Sequence, residues 1–377
     1  MATEATNHVY PPGELIREEL EERGWTQQEL AQIMGTDAAL VSEIVNAKRA
    51  ITARTAGALA SAFGTSAALW MNLETSYRLA TAKPKSRGVT LRARLFEIAP
   101  VREMAKRGWI EDSKNADTLC ANVLKFFGKS SLDDDFSFKH AARKSGSYRD
   151  TTPAQRAWLY RAQQMANVVP VKGTWKAARV GDLVHELRHL AQHAEAVRDV
   201  PAALGAFGVR LVVVHRLPQA KMCGASFWLD ERCERQPVIA LAFRYDRIDN
   251  FWHTLMHEVK HIEEGEPLSV DVEVLAEDAD KPPAEQRADA FAVASLVPQH
   301  ELDDFAMRAY PLYSHFKIMG FAARMRVHPG IVVGQLQHRG PEQRGLEWTH
   351  FRRLLVPVRK AVTSTAFSDG FGDVVPL

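Results

Sequence analysis

The sequence predicts an α+β fold that is mainly α, and three observations carry that expectation. Residues 11–80 break into short stretches of helical apolar spacing separated by glycines, the pattern of helices joined by tight turns. From Gly208 the texture changes to β-branched and aromatic runs, VRLVVVHRL, ASFWLD and QPVIALAF, which read as strands of a small sheet. Phe251 to Glu266 returns to helical spacing and contains His257-Glu258-Val259-Lys260-His261. A chain of 377 residues is too long for one ordinary core. The expected layout is a five-helix domain over 8–80, a polar basic linker over 81–92 and a helical spacer over 93–200. A domain over 201–336 then carries the sheet, and a mixed tail over 337–377 ends in a flexible stretch.

In the first domain, Gly13 to Arg23 carries Leu15, Ile16 and Leu20 at helical spacing, and Gly24 breaks the helix. Thr26-Gln27-Gln28-Glu29 is a capping box that opens a second helix, with Gly35 supplying its C-terminal turn. Thr36 or Asp37 caps a third, running through Leu40, Val41, Ile44 and Val45. Helices over Ala53–Phe63 and Ser66–Tyr77 complete the set. Helix, tight glycine turn, helix is the sequence form of a helix-turn-helix, whose second helix enters the major groove. On that helix Ala38, Ala39, Ser42 and Asn46 occupy base-reading positions. Gln27 and Gln28 sit at a helix N-terminus suited to phosphate, and Lys48 and Arg49 lie just past the recognition helix. A structural helical bundle is the competing reading. Charge weighs on that side, because residues 1–82 hold six basic and ten acidic side chains, whereas 83–180 hold twenty and nine. DNA affinity depends on neutralising phosphates, so the electropositive middle is the better generic partner for acid.

Composition is that of a soluble globular protein, 46% hydrophobic and 25% charged. The N-terminus lacks a basic stretch followed by an apolar run, and no apolar run approaches membrane-spanning length. A cytoplasmic location without membrane contact is expected. Cys120, Cys223 and Cys233 lack C-x-x-C spacing and read as reduced thiols. His185, His189 and His193 recur every four residues, yet no acid or cysteine completes a ligand set, so a solvated helix face is the better reading. Trp158 and Trp175 are expected in the core.

The chemistry concentrates in H-E-x-x-H. On a helix, positions i and i+4 lie one above the other, so His257 and His261 offer nitrogens to one metal ion. Glu258 sits about 100° round the helix, placed to take a proton from water and not to ligate. This is the arrangement of a zinc hydrolase. Asp249 or Asn250 caps the helix, Leu255, Val259 and Ile262 form its apolar stripe, and Gly265 with Pro267 ends it. Pro283 to Pro298 reads as a second amphipathic helix with Glu285 and Asp289 four apart. A carboxylate there completes a His/His/Glu set, and Asp289 then orients a ligand histidine through its other N–H. Two solvated acids on a surface helix are the bland alternative.

Two resemblances add to this reading. Pro12-Gly13-Glu14-Leu15-Ile16, Thr26 to Ala31, Val41 to Arg49 and Trp70-Met71-Asn72-Leu73 are similar to HigA-type antitoxins of the XRE helix-turn-helix class. That implies a homodimer on a double-stranded DNA operator and a cognate toxin. Gly208 to Val214, Gly224-Ala225-Ser226, Pro237 to Leu241, His257-Glu258-x-x-His261 and Glu285-x-x-Ala288-Asp289-x-Phe291-Ala292 with Leu296-Val297-Pro298 resemble the ImmA/IrrE zinc metallopeptidases. That implies a zincin-like domain with Zn2+ on His257, His261 and Glu285, Glu258 as catalytic base, and a repressor or antitoxin-type protein as substrate. Where that family usually has glycine, this chain has Lys260, expected on the flank opposite Glu258, where it crowds the cleft or binds a substrate acid. His253 replaces a frequent phenylalanine and reads as packing or as support for the ligands. The alternative reading is a non-catalytic antitoxin or repressor whose peptidase-like domain binds a toxin or effector, and Lys260 is the residue that favours it.

Overall fold

A computed structural model describes residues 10–82, 87–138, 151–230, 232, 235–272 and 281–369. Cys233, the start of the expected first domain at residues 8–9 and the end of the tail at 370–377 lie outside the described residues. The chain divides into two compact units, Met1–Arg87 and Gly88–Leu377.

The first unit is five helices: α1 (Pro12–Arg23), α2 (Gln27–Ile33), α3 (Ala38–Val45), α4 (Ala53–Phe63) and α5 (Ala67–Thr81). Gly24 ends α1 at φ 68°, a left-handed conformation that costs glycine nothing. The Thr26–Glu29 capping box is made in full, with Glu29 N–H on the Thr26 hydroxyl and Thr26 N–H on Glu29. Asp37 stands at the N-cap of α3 without a side-chain cap bond. Ile16, Leu20, Leu30, Val41, Ile44, Leu59, Phe63 and Trp70 form the unit's own core. Gly13 lets α1 touch the end of α3, because a Cβ there would stand 2.1 Å from the Val45 carbonyl oxygen. Gly13→Ala is therefore expected to destabilise this unit by about 1–3 kcal/mol through overpacking. A helix-propensity gain of roughly 1 kcal/mol opposes it. An unchanged thermal midpoint would show that the contact relaxes freely.

The second unit begins with α6 (Arg87–Ile98), α7 (Val101–Lys106), α8 (Ala116–Phe127), α9 (Pro153–Ala166), α10 (Val180–Leu190) and α11 (Val200–Ala206). It continues with β1 (Arg210–Val213), β2 (Met222–Trp228), β3 (Pro237–Leu241), α12 (Ile248–Glu263), β4 (Leu268–Val272) and α13 (Pro283–Leu296). It closes with α14 (Gln299–Ala309), α15 (His315–Met325), α16 (Pro329–Arg339), α17 (Arg359–Thr363) and β5 (Phe367–Ser368). The strands form one mixed sheet in the order β4-β2-β3-β1-β5. β1 runs parallel to β3 and β5, while β2 is antiparallel to β3 and β4.

Both faces of this sheet are buried, and that corrects the expected domain plan. Leu211, Val213, Ile239 and Leu241 point into a core shared with α10 to α17. Their neighbours Val212, Val214, Val238 and Ala240 point into a second core built with Leu95, Met104, Val123, Phe127, Trp158 and Met165. Strands apolar on both faces need a cover on each side. The 93–200 stretch is therefore no spacer: α6 to α9 form one outer layer, and α10 and α11 join the other. The Trp158 indole N–H bonds the Val214 carbonyl at 2.7 Å and ties α9 to the sheet. The linker is shorter than expected, since α5 runs to Thr81 and α6 starts at Arg87. Up to residue 369 the tail is also structural. Val358, Val362 and Ala366 are buried, β5 pairs with β1, and the buried Asp369 carboxylate lies 3.7 Å from Arg107 and accepts the His215 N–H. His185, His189 and His193 are exposed, and Trp158 and Trp175 are buried. Among the described residues no helix is long and apolar enough to cross a membrane.

Candidate metal centre and helix-turn-helix surface

The site is built on α12. Its Leu255, Val259 and Ile262 stripe is buried against the sheet and neighbouring helices, which fixes the opposite face. Neither Asp249 nor Asn250 caps the helix. Arg247 takes the N-cap place, and Asp249 instead forms a two-point ion pair with the Arg247 guanidinium at 2.6 and 3.0 Å.

His257 and His261 project from successive turns and meet Glu285 from the first turn of α13. His257 Nε2 is 3.0 Å from His261 Nε2 and 3.1 Å from Glu285 Oε2, and His261 Nε2 is 3.6 Å from Glu285 Oε1. A tetrahedral ion with ligand bonds of roughly 2.0–2.2 Å needs donor atoms about 3.3 Å apart, and these separations, with one ligand atom from each residue within 4.8 Å of the others, are of the size a metal ion such as zinc requires. The other ring nitrogens are held by carboxylates, His257 Nδ1 by Asp289 at 2.9 Å and His261 Nδ1 by Glu266 at 3.1 Å. Such bonds fix the tautomer that leaves Nε2 for a metal. Glu266 is the partner sequence reasoning missed. Gly265, at φ 71°, turns the chain back after α12 and delivers it. A glutamate two residues past the expected helix end was the available signal.

Electrostatics follow from this crowding. Burial opposes charge on His257, but Asp289 and Glu285 outweigh it and hold its pKa well above the usual imidazole range. Burial likewise opposes charge on His261, yet Glu266 and Glu285 carry it to about 9. Burial pushes Glu258 up to about 7, against the pull of His257 and His261. Asp289 sits well below its usual range: burial would raise it, but His257 and Lys281 win. Zinc has to displace any proton on the two Nε2 atoms, and with these only 3.0 Å apart at least one of them is already bare, so uptake at pH 7 is expected to release about one proton. Titration in weak buffer checks this, and uptake without release would rule out the two imidazoles as ligands.

Lys260 is not where it was expected. Its ammonium bonds Glu263 at 2.8 Å and Glu264 at 3.3 Å, lies 5.4 Å over the Phe291 ring, and does not line the cleft. Arg287 closes on the same Glu264 at 2.6 Å. Two acids on the following turn drew the lysine outward. His253 lies half exposed in the cleft, 4.0 Å from Asp289, beside the ligand set and outside it. Cys223 also lines the cleft.

In the first unit, Gln28, Ala39, Asn46, Lys48 and Arg49 are exposed, while Gln27, Ala38 and Ser42 are half buried. Ala38 packs against the core and Asn46 turns back on its own helix. The Asn46 amide N–H donates to the Ser42 carbonyl at 2.8 Å, and its oxygen accepts from Arg17 at 3.2 Å. Both are thus less available for base edges than their helical positions suggested. Arg49 pairs with Glu43 at 3.1 Å.

Comparison with known proteins bears on this unit. A helix-turn-helix family model matches residues 16–70. Virulence-associated protein I of Dichelobacter nodosus is 36% identical over 81 residues, which are 21% of this chain and 75% of the relative. The antitoxin HigA of Pseudomonas aeruginosa, solved with its promoter, is 36% identical over 25% of this chain and 98% of its own, with a TM-score of 0.20. The chain belongs to the HigA-like helix-turn-helix family. A second Pseudomonas aeruginosa protein, crystallised with its 28-base-pair operator DNA, is 41% identical to this HigA-like chain. The match spans 20% of this chain and 84% of that protein, at a TM-score of 0.20.

Proposed function

We propose that the chain is an operator-binding regulator of the HigA-like antitoxin type whose second unit is a zinc-dependent endopeptidase. One observation carries the enzymatic half. Three donor atoms of suitable chemistry converge within 4.8 Å, and a buried carboxylate follows the first of them in the sequence. His257, His261 and Glu285 would hold the ion, with Asp289 and Glu266 orienting the two imidazoles. Zinc, when bound, supplies Lewis-acid polarisation of a carbonyl and a more acidic water. Glu258 takes the water's proton and returns it to the leaving amine, a role suited to a carboxyl whose pKa lies near 7.

The cleft supports a peptide substrate. It encloses about 1560 Å³ and runs along α12 from His257 past His253 and Asn250 to Asp249. Small-molecule sites are of order 300–1,000 Å³. β4, the edge strand among the described residues, contributes Asp271 to its wall, and an extended chain can pair along such an edge. A repressor or antitoxin-type protein, in a dimeric regulator's own circuit, is the proposed substrate. Lys260 was the residue favouring a non-catalytic binding module, and its ion pairs with Glu263 and Glu264 weigh against that reading.

The DNA half is tested by charge. Lys48→Gln with Arg49→Gln is expected to weaken operator binding at every sequence and to reduce the slope of log K against log salt by about two. An unchanged slope would place both side chains away from phosphates, and loss of folding is excluded by an unaltered thermal midpoint.

A further inference from the structure

The sheet under α12 is two-faced in a way its apolar composition does not require. On β2 and β4 the face turned from α12 carries Ala225, Phe227, Leu268 and Val270, all in an apolar core. The face toward α12 carries Gly224, Ser226, Ser269 and Asp271 instead. Ser226 and Ser269 are direct cross-strand partners, and so are Gly224 and Asp271, which puts all four on one side. Gly224 marks where this floor meets the helix. A Cβ there would stand 2.8 Å from Thr254 and 3.2 Å from Glu258 Oε1.

Glu258 is 0% exposed, Ser226 1% and Ser269 0%. Among the described residues neither Glu258 oxygen, nor either serine hydroxyl, closes a hydrogen bond of ordinary geometry, yet the Ser226 hydroxyl is near enough to pull the Glu258 carboxyl down against burial. Burying a carboxylate without donors is costly, and so, to a smaller degree, is burying a hydroxyl without an acceptor. The two deficits are complementary. The carboxylate only accepts, the hydroxyls can donate, and small rotations or one shared water would satisfy all of them. Asp271 is the other group facing Glu258, and it adds repulsion and no donor.

We infer that Ser226 and Ser269 are positioning residues, a hydroxyl pair on the sheet that seats the Glu258 carboxylate from behind. The inference rests on the reading of Glu258 as the base of the proposed peptidase. Held from the sheet side, the carboxylate keeps a lone pair on one oxygen free to take a proton. Without the hydroxyls, the carboxylate has freedom to swing toward His257 or His261 and compete for the ligands' protons.

A double-mutant cycle on unfolding of the full chain tests it without any substrate. Ser226→Ala, Glu258→Met and the double variant are compared with the parent by denaturant titration. Coupling is expected: the double variant's unfolding constant should depart from the product of the single effects by about fivefold or more. Ser226→Thr, which keeps the hydroxyl, should restore the parent's coupling. Agreement with the product within about twofold, or no rescue by threonine, overturns the proposal. If Ser226→Ala does not fold, Ser269→Ala replaces it in the same cycle with the same two outcomes. Zinc content of each variant separates the two claims. Full zinc without coupling defeats the positioning role alone, whereas a zinc-free parent defeats the reading of Glu258 as a base whatever the cycle shows.

Discussion

Glu258→Gln is expected to lower peptide cleavage by about 10²–10⁴-fold while zinc content and operator binding stay at the parent's level. The size follows from what glutamine keeps. Its side chain has the same shape, so the 0% exposed position is filled without a cavity, but it cannot accept a proton near neutral pH. The three ligand atoms are on other residues, and the helix-turn-helix unit has a core of its own. The measurement is cleavage of a co-expressed repressor or antitoxin partner, read by mass spectrometry, beside metal analysis of the same preparation. Retained cleavage in this variant defeats the mechanism. Lost cleavage accompanied by lost zinc would show a damaged site and say nothing about a base.

The site was legible in the sequence to a greater depth than the architecture around it. Helix periodicity sets a separation of one turn, so the convergence of His257 and His261 followed from spacing alone. Glu285 needed a second helix, and its first-turn position beside Asp289 was visible in the same way. Glu266 was not, because it lies in the turn after α12, where no periodicity applies and only the left-handed Gly265 decides the direction. Lys260 was misplaced for a related reason. Its helical angle was clear, yet a four-carbon stem lets the ammonium choose among acids, and Glu263 and Glu264 lie three and four residues on. Domain layout was misread because the 93–200 helices carry no motif. What assigns them to the sheet is the absence of polar alternation in RLVV and PVIAL, a pattern that demands cover on both faces and does not name the helices that give it. The tail's role is still harder to see, since β5 is two residues long and pairs with a strand more than 150 positions earlier.

His261→Ala should take bound zinc from one ion per chain to almost none under limiting metal, a loss of affinity beyond 100-fold. Removing one of three protein ligands is worse than removing a partner behind a ligand, which costs 10–100-fold, the loss expected for Glu266→Gln. The same substitution has a signature in the metal-free protein. His261 is folded with a pKa raised to about 9 from 6.5, so its ion pairs with Glu266 and Glu285 contribute fully below pH 6.5. That contribution fades as pH rises and is gone above about 9. Zinc reverses the direction, because the bound form needs neutral imidazoles and is lost on acidification. Apo and zinc-loaded parent should therefore lose stability at opposite ends of the pH range, and His261→Ala should flatten the alkaline loss in the apo protein. Thermal midpoints across pH 5.5–9.5, with and without zinc, measure both limbs. Identical pH profiles for apo and loaded parent would mean that zinc does not sit on these imidazoles, and the peptidase reading would go with it.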